Sequence, residues 1–342
     1  MADNGSNLAK SAATESDIEQ KITRALKGNA EKDRAKLEKK NQLTVRERLA
    51  LLIDVGTFVE DGLLANCNAE DLPADGVVTG YGKVSGRSIC VVANDSTVKA
   101  GSWGTRTVEK IIRMTEYALR HELPIFWLID SAGARITDQV QMFPGRRGAG
   151  RIFSNQVKLS GKVPQICCLF GPSAAGGAYI PAFCDVVFMV DQNASMYLGS
   201  PRMAQEVIGE NVTLEEMGGA RMHTSISGCA DNLAYNDADA IEQAKVYFSF
   251  MPLNWRELPP RYSPSECLTP LTRSVLPNVE SAGYDIHNFL VALVDEDSFF
   301  EVKPDWATEL VTGFALLDGN VVGIVANNPM NKGGVLFIDS AD

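Results

Sequence analysis

Short apolar runs alternate with amphipathic stretches between residues 77 and 190 of the chain. Two β-rich runs, 77–84 and 88–94, flank a Ser-Gly-Arg turn and therefore predict a hairpin. Apolar positions recur every three or four residues over 108–119, which predicts an amphipathic helix. Further apolar runs predict buried strands at 125–129, 165–170 and 186–190, with a helix at 151–159. This alternation predicts an α/β layered domain, with a ligand site at the carboxyl ends of its strands.

The first 40 residues have a different pattern. Residues 1–15 are small and polar, which predicts a disordered tail. The capping box at 16–19 opens a predicted exposed helix, and a second capping box at 44–47 opens a short helix that Gly56 can end. We therefore separate residues 1–40 from a domain that begins at 41.

A proline-rich stretch at 252–280 predicts a linker. Beyond it the sequence repeats itself: 311–328 matches 78–95 at seven of 18 positions, at an offset of 233 residues. Upstream, Asp54 and 58–60 match Asp295 and 299–301 at an offset of 241. Two matches in the same order predict an internal duplication.

The duplication divides the chain into modules. Residues 41–251 form one complete module, and 281–342 begin a second one. The second copies of two glycine-rich loops, described next, would fall near 364–368 and 405–411, beyond Asp342. The sequence therefore predicts a truncated second copy.

Two glycine-containing loops follow predicted strands. Residues 130–135 read D-S-A-G-A-R, and residues 171–182 read G-P-S-A-A-G-G-A-Y-I-P-A. Gly176 and Gly177 allow close approach of a ligand to the backbone, and a helix that starts there would direct free N–H groups at it. Two such strand exits side by side would form an oxyanion hole. The alternative is that both loops are tight turns that use glycine for packing.

Charge and cysteine content narrow the range of functions. The net charge of −11 argues against nucleic acid as a partner. No apolar run is long enough to span a bilayer, and the first residues show no secretory pattern. Seven cysteines without paired spacing indicate reduced, mostly buried thiols and no zinc site, as in a cytoplasmic protein, or one of the mitochondrial matrix in a eukaryote. His223 and His287 show no metal-ligand spacing.

These motifs together closely resemble the carboxyltransferase β subunits of biotin-dependent acyl-CoA carboxylases, such as the propionyl-CoA and methylcrotonyl-CoA enzymes. The resemblance extends over nearly the whole chain from about residue 35. It includes D-G-V-V-T-G at 75–80, both glycine loops, G-S-P at 199–201 and L-E-E-M-G-G-A-R-M-H at 214–223. It implies a crotonase-like ββα superhelical fold, duplicated in tandem.

The resemblance also implies a chemistry. A carboxyl group moves from carboxybiotin to the α-carbon, or the vinylogous γ-carbon, of an acyl-CoA through an enolate. The implied oxyanion donors are backbone N–H groups of Ala134 or Gly133 with those of Gly176 or Gly177, and Ala178 adjoins the substrate. Biotin arrives on a carrier subunit served by a biotin carboxylase, and the family forms hexamers as trimers of dimers.

Five basic residues are candidates for the CoA phosphates. They are Lys99, Arg135, Arg146, Arg147 and Arg151. The segment 143–151, F-P-G-R-R-G-A-G-R, is more similar to methylcrotonyl-type enzymes and to the α subunit of glutaconyl-CoA decarboxylase. A biotin-dependent decarboxylase that serves a membrane pump is therefore an alternative. A crotonase-type hydratase or isomerase and a non-enzymatic assembly subunit are further alternatives.

Overall fold

A computed structural model describes residues 4–266, 275–279 and 282–342, with side chains from residue 14 onward. In the first module the strands are β1 (Val59–Asp61), β2 (Val77–Val84), β3 (Arg87–Asn94), β4 (Ile125–Ser131), β5 (Gln165–Ala174), β6 (Val186–Val190), β7 (Ser195–Tyr197) and β8 (Asn232–Ala234). The helices up to residue 250 are α1 (Asn4–Lys27), α2 (Ala30–Lys39), α3 (Val45–Leu52), α4 (Thr105–His121), α5 (Gln139–Met142), α6 (Gly150–Leu159), α7 (Tyr179–Ala182), α8 (Pro201–Ile208), α9 (Leu214–Gly218), α10 (Ala220–Ser225) and α11 (Asp237–Phe250). The predicted hairpin, amphipathic helix and buried strands are confirmed.

The strands of this module form one sheet in the order β1-β2-β3-β4-β5-β6-β8, and β7 pairs with the end of β5. The first three strands are antiparallel, and the strands from β3 onward are parallel. Helix α4 packs against the hairpin and α6, while α11 packs against β5, β6 and α3. Every residue of β4 is buried, so the sheet centre forms the core from which the two glycine loops emerge.

The N-terminal region differs from the prediction. Helix α1 begins at Asn4, so residues 4–15 are helical where a disordered tail was expected, and Ser16 lies inside the helix. A second helix, α2, follows after Gly28. The second predicted cap is confirmed, because the Thr44 hydroxyl accepts the Glu47 N–H at 3.2 Å.

The second module begins with α12 (Ile286–Val291), β9 (Phe300–Val302), β10 (Leu310–Leu317), β11 (Asn320–Asn327) and α13 (Ile338–Ala341). Its three strands form a separate antiparallel sheet. The register matches that of the first module, since Phe300 pairs with Phe314 as Val59 pairs with Tyr81. The predicted duplication is therefore present in the strand pairing.

Both copies also fix their hairpin turn in the same way. The Asp54 carboxylate accepts the N–H groups of Ser85 and Gly86 at 3.0 and 2.7 Å. The Asp295 carboxylate accepts those of Asp318 and Gly319 at 2.9 and 2.8 Å. The repeat thus preserves individual hydrogen bonds as well as strand order.

An aromatic cluster joins the two modules. The Phe314 ring lies 5.7 Å from Tyr247 and 5.9 Å from Phe250, and Phe188 contacts Phe300 edge-on. Within the described residues, no other strand pairs with the outer edge of β11, which carries only an isolated bridge between Asn320 and Arg261. The predicted linker is described over 252–266 and 275–279, and its remaining residues, with Cys267, lie outside the described part of the chain.

The expectation of mostly buried thiols is half right. Cys90, Cys167 and Cys168 are buried in the central strands, where burial raises the pKa of each thiol. Cys67 and Cys184 are half-buried, and Cys229 is exposed.

The copies diverge where a helix meets the first strand of each module. Arg46 of α3 pairs with Glu60 of β1, whereas the matching residue of α12, His287, bonds Glu301 of β9 at 2.9 Å. Burial lowers the pKa of His287, but its hydrogen bonds to Asp285 and Glu301 together outweigh burial and raise the pKa above the usual value.

This divergence predicts a pH-dependent second module. Because the pKa of His287 is higher in the folded state, the stabilisation is complete below the unfolded value of about 6.5 and is lost as pH rises through the folded value. Thermal unfolding followed from pH 5.5 to 8.5 should show Tm falling over that window. The His287→Gln variant should lose this part of the pH dependence, and an unchanged slope in that variant would contradict the assignment.

Candidate active site

The two glycine loops leave neighbouring strands at the same edge of the sheet. Strands β4 and β5 are parallel, and Ser131 pairs with Ser173 at their ends. A Cβ placed on Gly133, which has φ of +90°, would lie 3.1 Å from the carbonyl oxygen of Ala174. The sequence-based expectation of two adjacent strand exits is confirmed.

The first loop leaves one backbone donor without a partner. The Trp103 backbone bonds the residues on both sides of this donor. The Trp103 N–H donates to the Gly133 carbonyl at 2.8 Å, and the Trp103 carbonyl accepts the Arg135 N–H at 2.8 Å. The Gly133 N–H donates to the Ser131 hydroxyl at 3.2 Å. Between them, the Ala134 N–H has no acceptor among the described residues. Of the two donors expected here, the geometry favours Ala134.

The second loop opens into a shorter element than the expected helix. Residues Ala175–Ala178 form a 3-10 turn, followed by the single turn of α7. Within the described ranges, neither Gly176 nor Gly177 donates its N–H to an acceptor outside this turn. Ala175 has φ of +52°, which is unfavourable for a residue with a Cβ and is often found at functional sites. In a 3-10 turn the first i→i+3 bond is donated by the third residue, here Gly177, so the Gly176 N–H is the free donor. It comes from a strained turn rather than from a helix dipole.

Two glycines of the second loop, Gly176 and Gly177, are not required for packing within the described part of this chain. A Cβ on Gly176 would meet no atom within 4 Å, and one on Gly177 would meet only the Ser173 hydroxyl at 3.5 Å. Neither glycine has a positive φ. Gly171 is the opposite case, since a Cβ there would overlap the Asp130 carboxylate. The packing explanation therefore holds for Gly171 and fails for Gly176 and Gly177.

A buried arginine, Arg48, contacts residues at the start of both loops. The Arg48 guanidinium pairs with Asp130 at 3.0 Å and with Asp237 at 2.7 Å, and it stacks 4.2 Å from the Phe170 ring centre. The Arg48 and Asp237 side chains are each 1% exposed. Burial raises the pKa of Asp237, and the Arg48 charge opposes that shift. Sequence reasoning missed Arg48, because its partners lie far away along the chain.

Two of the predicted phosphate ligands, Lys99 and Arg135, already have carboxylate partners. Lys99 pairs with Asp71 at 2.7 Å, at an exposed position. Arg135 pairs with the buried Asp75 at 2.5 Å and is only 9% exposed. Arg146 is exposed and has no ion pair within the described part of the chain.

The other two candidates share one partner. Arg147 and Arg151 reach Glu116 of α4 at 3.2 and 3.4 Å. The Arg147 side chain is about half exposed and the Arg151 side chain about one third exposed, so both remain accessible to an anion in solvent. The structure thus groups Arg147 with Arg151 and gives the other three candidates separate environments.

An apolar cavity of about 440 Å³ adjoins the second loop. Its walls include Ala178, which was predicted to adjoin the substrate, and residues for which the sequence predicted no role in binding. The lining residues are Ala178, Tyr179, Ala182, Met196, Tyr197, Leu198, Gly199, Met217, His223 and Cys229. Both ring nitrogens of His223 are engaged, at 2.8 Å from the Ser227 hydroxyl and 2.8 Å from the Met196 carbonyl, and burial lowers its pKa. His223 therefore closes the cavity wall as a neutral ring.

Comparison with known proteins agrees with this geometry. The carboxyl transferase domain model matches residues 36–342. The chain is 59% identical over 94% of its length to "Uncharacterized carboxylase YngE" of Bacillus subtilis, covering 64% of that protein. It is 39% identical over 95% of its length to the propionyl-CoA carboxylase carboxyltransferase subunit of Haloferax mediterranei, covering 64% of that protein.

A solved structure of transcarboxylase 12S matches with a TM-score of 0.89 and 36% identity, over 95% of this chain and 64% of that one. That structure is described as a hexamer assembly with methylmalonyl-coenzyme A and methylmalonic acid bound. The chain therefore belongs to the carboxyl transferase domain family, and it has the crotonase-like fold of that family. It spans slightly less than two thirds of the length of these relatives. No helix in the described ranges is long and apolar enough to cross a membrane.

The Arg48 contacts predict a large loss of stability when the Arg48 guanidinium is removed. Arg48→Met would leave two buried carboxylates without a counter-charge, which typically costs about 3–5 kcal/mol. Denaturant unfolding should show this decrease in the free energy of unfolding. Adding Asp237→Asn should recover part of it.

Arg106→Met is the matched control for that experiment. Arg106 pairs with Glu109 on the surface, with 57% of its side chain exposed, so its loss should cost about 0–1 kcal/mol. Equal effects of the two substitutions would show that the buried pairs do not stabilise the loops.

Proposed function

We propose that this chain is the carboxyltransferase component of a biotin-dependent acyl-CoA carboxylase. The observation that carries the proposal is the pair of unengaged backbone donors, at Ala134 and at Gly176, on two adjacent strand exits. Free N–H groups held by a rigid sheet can stabilise an oxygen that gains negative charge during reaction. Membership of the carboxyl transferase family supports a thioester oxygen as that atom.

The surroundings of these donors fit a thioester substrate. The space where Gly176 and Gly177 would carry side chains is clear, and Ala178 leads into the apolar cavity. Removal of the α-proton of a thioester moves charge onto its oxygen, so donors at that oxygen stabilise the enolate more than the ground state. Carboxybiotin, carried on a partner protein, would supply the carboxyl group and the base.

Neither loop contains a histidine or glutamate, and the Asp130 carboxylate of the first loop is buried in its pair with Arg48. Their polar side chains close to the donors are the Ser131 and Ser173 hydroxyls, and Ser131 already accepts the Gly133 N–H. Arg135 is held by Asp75. The role of this chain is then to bind and polarise the thioester, while the proton is taken by a group outside the chain.

We further propose a division of labour between the modules. Residues 41–251 would bind the acyl-CoA, with Arg146, Arg147, Arg151 and Lys99 near its phosphates, and the module that begins at 281 would bind biotin. The open edge of β11 supports this division. In the first module the matching strand, β3, pairs in parallel with β4, which leads to the first loop. A parallel strand beside β11 would place a second such loop.

The proposed partners follow from the same chemistry. They are a biotin carboxylase subunit, a biotin carboxyl carrier and further copies of the chain, arranged so that a first module faces a second module. The hexamer described for transcarboxylase 12S supports a hexameric assembly, which we propose to be a trimer of dimers. Decarboxylation would use the same enolate site in reverse, and assays in both directions distinguish the two activities.

The glycine geometry predicts a selective loss of activity. Gly177→Val should reduce turnover of acyl-CoA by at least about 10²-fold. The valine side chain would occupy the substrate space and keep the thioester oxygen away from the donors, and losing one such donor interaction has an effect of this size. Thermal unfolding should be almost unchanged, since the new Cβ would contact only Ser173. Turnover is measured with acetyl-, propionyl-, methylcrotonyl- and glutaconyl-CoA in the presence of the biotin partners.

Gly150→Val is the control for this substitution. Gly150 also has open space at the Cβ position, but it lies at the start of α6. It should retain both stability and turnover. Normal turnover in a well-folded Gly177→Val protein would remove the assignment of this loop.

The division of labour predicts that residues 1–342 bind acyl-CoA but do not transfer a carboxyl group to free biotin. A chain that continues past residue 342 with a parallel strand beside β11 should perform both steps. Calorimetry with CoA esters measures the first step, and transfer from a carboxylated acyl-CoA to biotin measures the second. Transfer by residues 1–342 within tenfold of the longer chain would show that the second module does not hold biotin.

A further inference from the structure

An unusual turn lies beside the first loop. Ala74, Asp75 and Gly76 all have left-handed backbone angles, with φ of 51°, 55° and 70°. Such a run is strained unless its surroundings fix it. The buried Lys110 ammonium donates to the carbonyls of Ala74, at 3.0 Å, and Val77. The turn is therefore held in place from within α4.

This turn places the Asp75 carboxylate, which is fully buried, at the start of α4. One carboxylate oxygen accepts the N–H of Thr107 at 2.6 Å and its hydroxyl at 2.9 Å. The other accepts Nη1 of Arg135 at 2.5 Å, while the Asp75 carbonyl accepts Nη2 at 3.1 Å. The first oxygen acts as a remote helix cap, and the second fixes the guanidinium.

Neighbouring glycines leave space for that guanidinium. A Cβ on Gly104 would overlap Nη1 of Arg135, and one on Gly76 would lie 3.6 Å from Nη2. The Asp138 carboxylate lies 3.6 Å from Nη1. The guanidinium is thus enclosed by its own chain and has little surface left for a ligand.

The backbone of Arg135 is fixed as well. Its N–H donates to the Trp103 carbonyl at 2.8 Å, next to the unengaged Ala134 N–H. Side chain and backbone together attach the end of the first loop to the start of α4. The Trp103 N–H holds the Gly133 carbonyl, which lies in the same peptide plane as the Ala134 N–H, and the two attachments of Arg135 hold the chain directly after that peptide. Together these contacts restrict rotation of the peptide and so fix the direction of the Ala134 N–H.

We propose that Arg135 is a positioning residue that fixes the Ala134 N–H through Asp75, and that it is not a ligand of the CoA phosphates. The proposal rests on the function proposed above for Ala134. It replaces the expectation from sequence, in which Arg135 was grouped with the phosphate-binding candidates. Asp75 is then a second positioning residue, because its carboxylate and carbonyl hold the Arg135 guanidinium.

The test compares Arg135→Gln, Arg135→Lys, Asp75→Asn and the Asp75→Asn/Arg135→Gln double variant in the complete enzyme. Propionyl-CoA and 3′-dephospho-propionyl-CoA serve as probe substrates. Arg135→Gln should lower kcat by about tenfold to a hundredfold, as expected for a displaced catalytic group, with KM for both substrates within twofold of the wild type. The double variant should lose less than the product of the two single effects, because it removes both charges of the Asp75–Arg135 pair together.

Amide hydrogen exchange over residues 131–138 provides a measurement that does not depend on activity. Exchange should be faster in Arg135→Gln and close to normal in Arg135→Lys. Arg106→Gln, an exposed arginine on the first turn of α4, should change neither exchange nor kinetics.

Two results would overturn the proposal. One is a raised KM at unchanged kcat that disappears with the dephosphorylated substrate, which would make Arg135 a phosphate ligand. The other is unchanged exchange over 131–138 in a folded Arg135→Gln protein. If the wild-type enzyme turned over no acyl-CoA, the proposed function would fail, and the exchange measurement would still decide whether Arg135 fixes the loop.

Discussion

The structure depends on one buried cation. Arg48 connects the end of β4, through Asp130, to the start of α11, through Asp237, and it lies against Phe170 of β5. A charge at 1% exposure has lost its hydration, so it is stable only with its carboxylates in place. Because Asp130 also fills the space left by Gly171, the same contacts set the distance between the two loops.

Local patterns predicted the framework and the position of the site. The hairpin at β2–β3, the amphipathic α4 and the adjacent exits of β4 and β5 follow from periodicity and turn residues. The partners of Arg48 could not be predicted, since Asp130 and Asp237 lie 82 and 189 residues away. The contacts of Arg135 could not be predicted for the same reason: the sequence places it beside a glycine loop but does not show that its guanidinium pairs with Asp75.

The duplication shows which interactions a hairpin of this kind needs. Asp54 and Asp295 perform the same task in two modules that are otherwise mostly different in sequence. The ion pair between helix and strand is less constrained, because Arg46 in one copy is matched by His287 in the other. A turn whose two adjacent N–H groups are bonded by a single carboxylate has few solutions, whereas a partly exposed charge pair has several.

Some glycines have another group at the position where a Cβ would lie, and others have empty space there. This contrast has a consequence for how such a protein evolves. Gly171 must stay glycine for as long as the fold exists, because Asp130 occupies the space of its side chain. Gly176 and Gly177 face no such demand from their own chain. In a descendant that kept this fold but lost its substrate, these two positions would be free to drift to alanine or serine. Their state would then serve as a record of whether the ancestral chemistry survives.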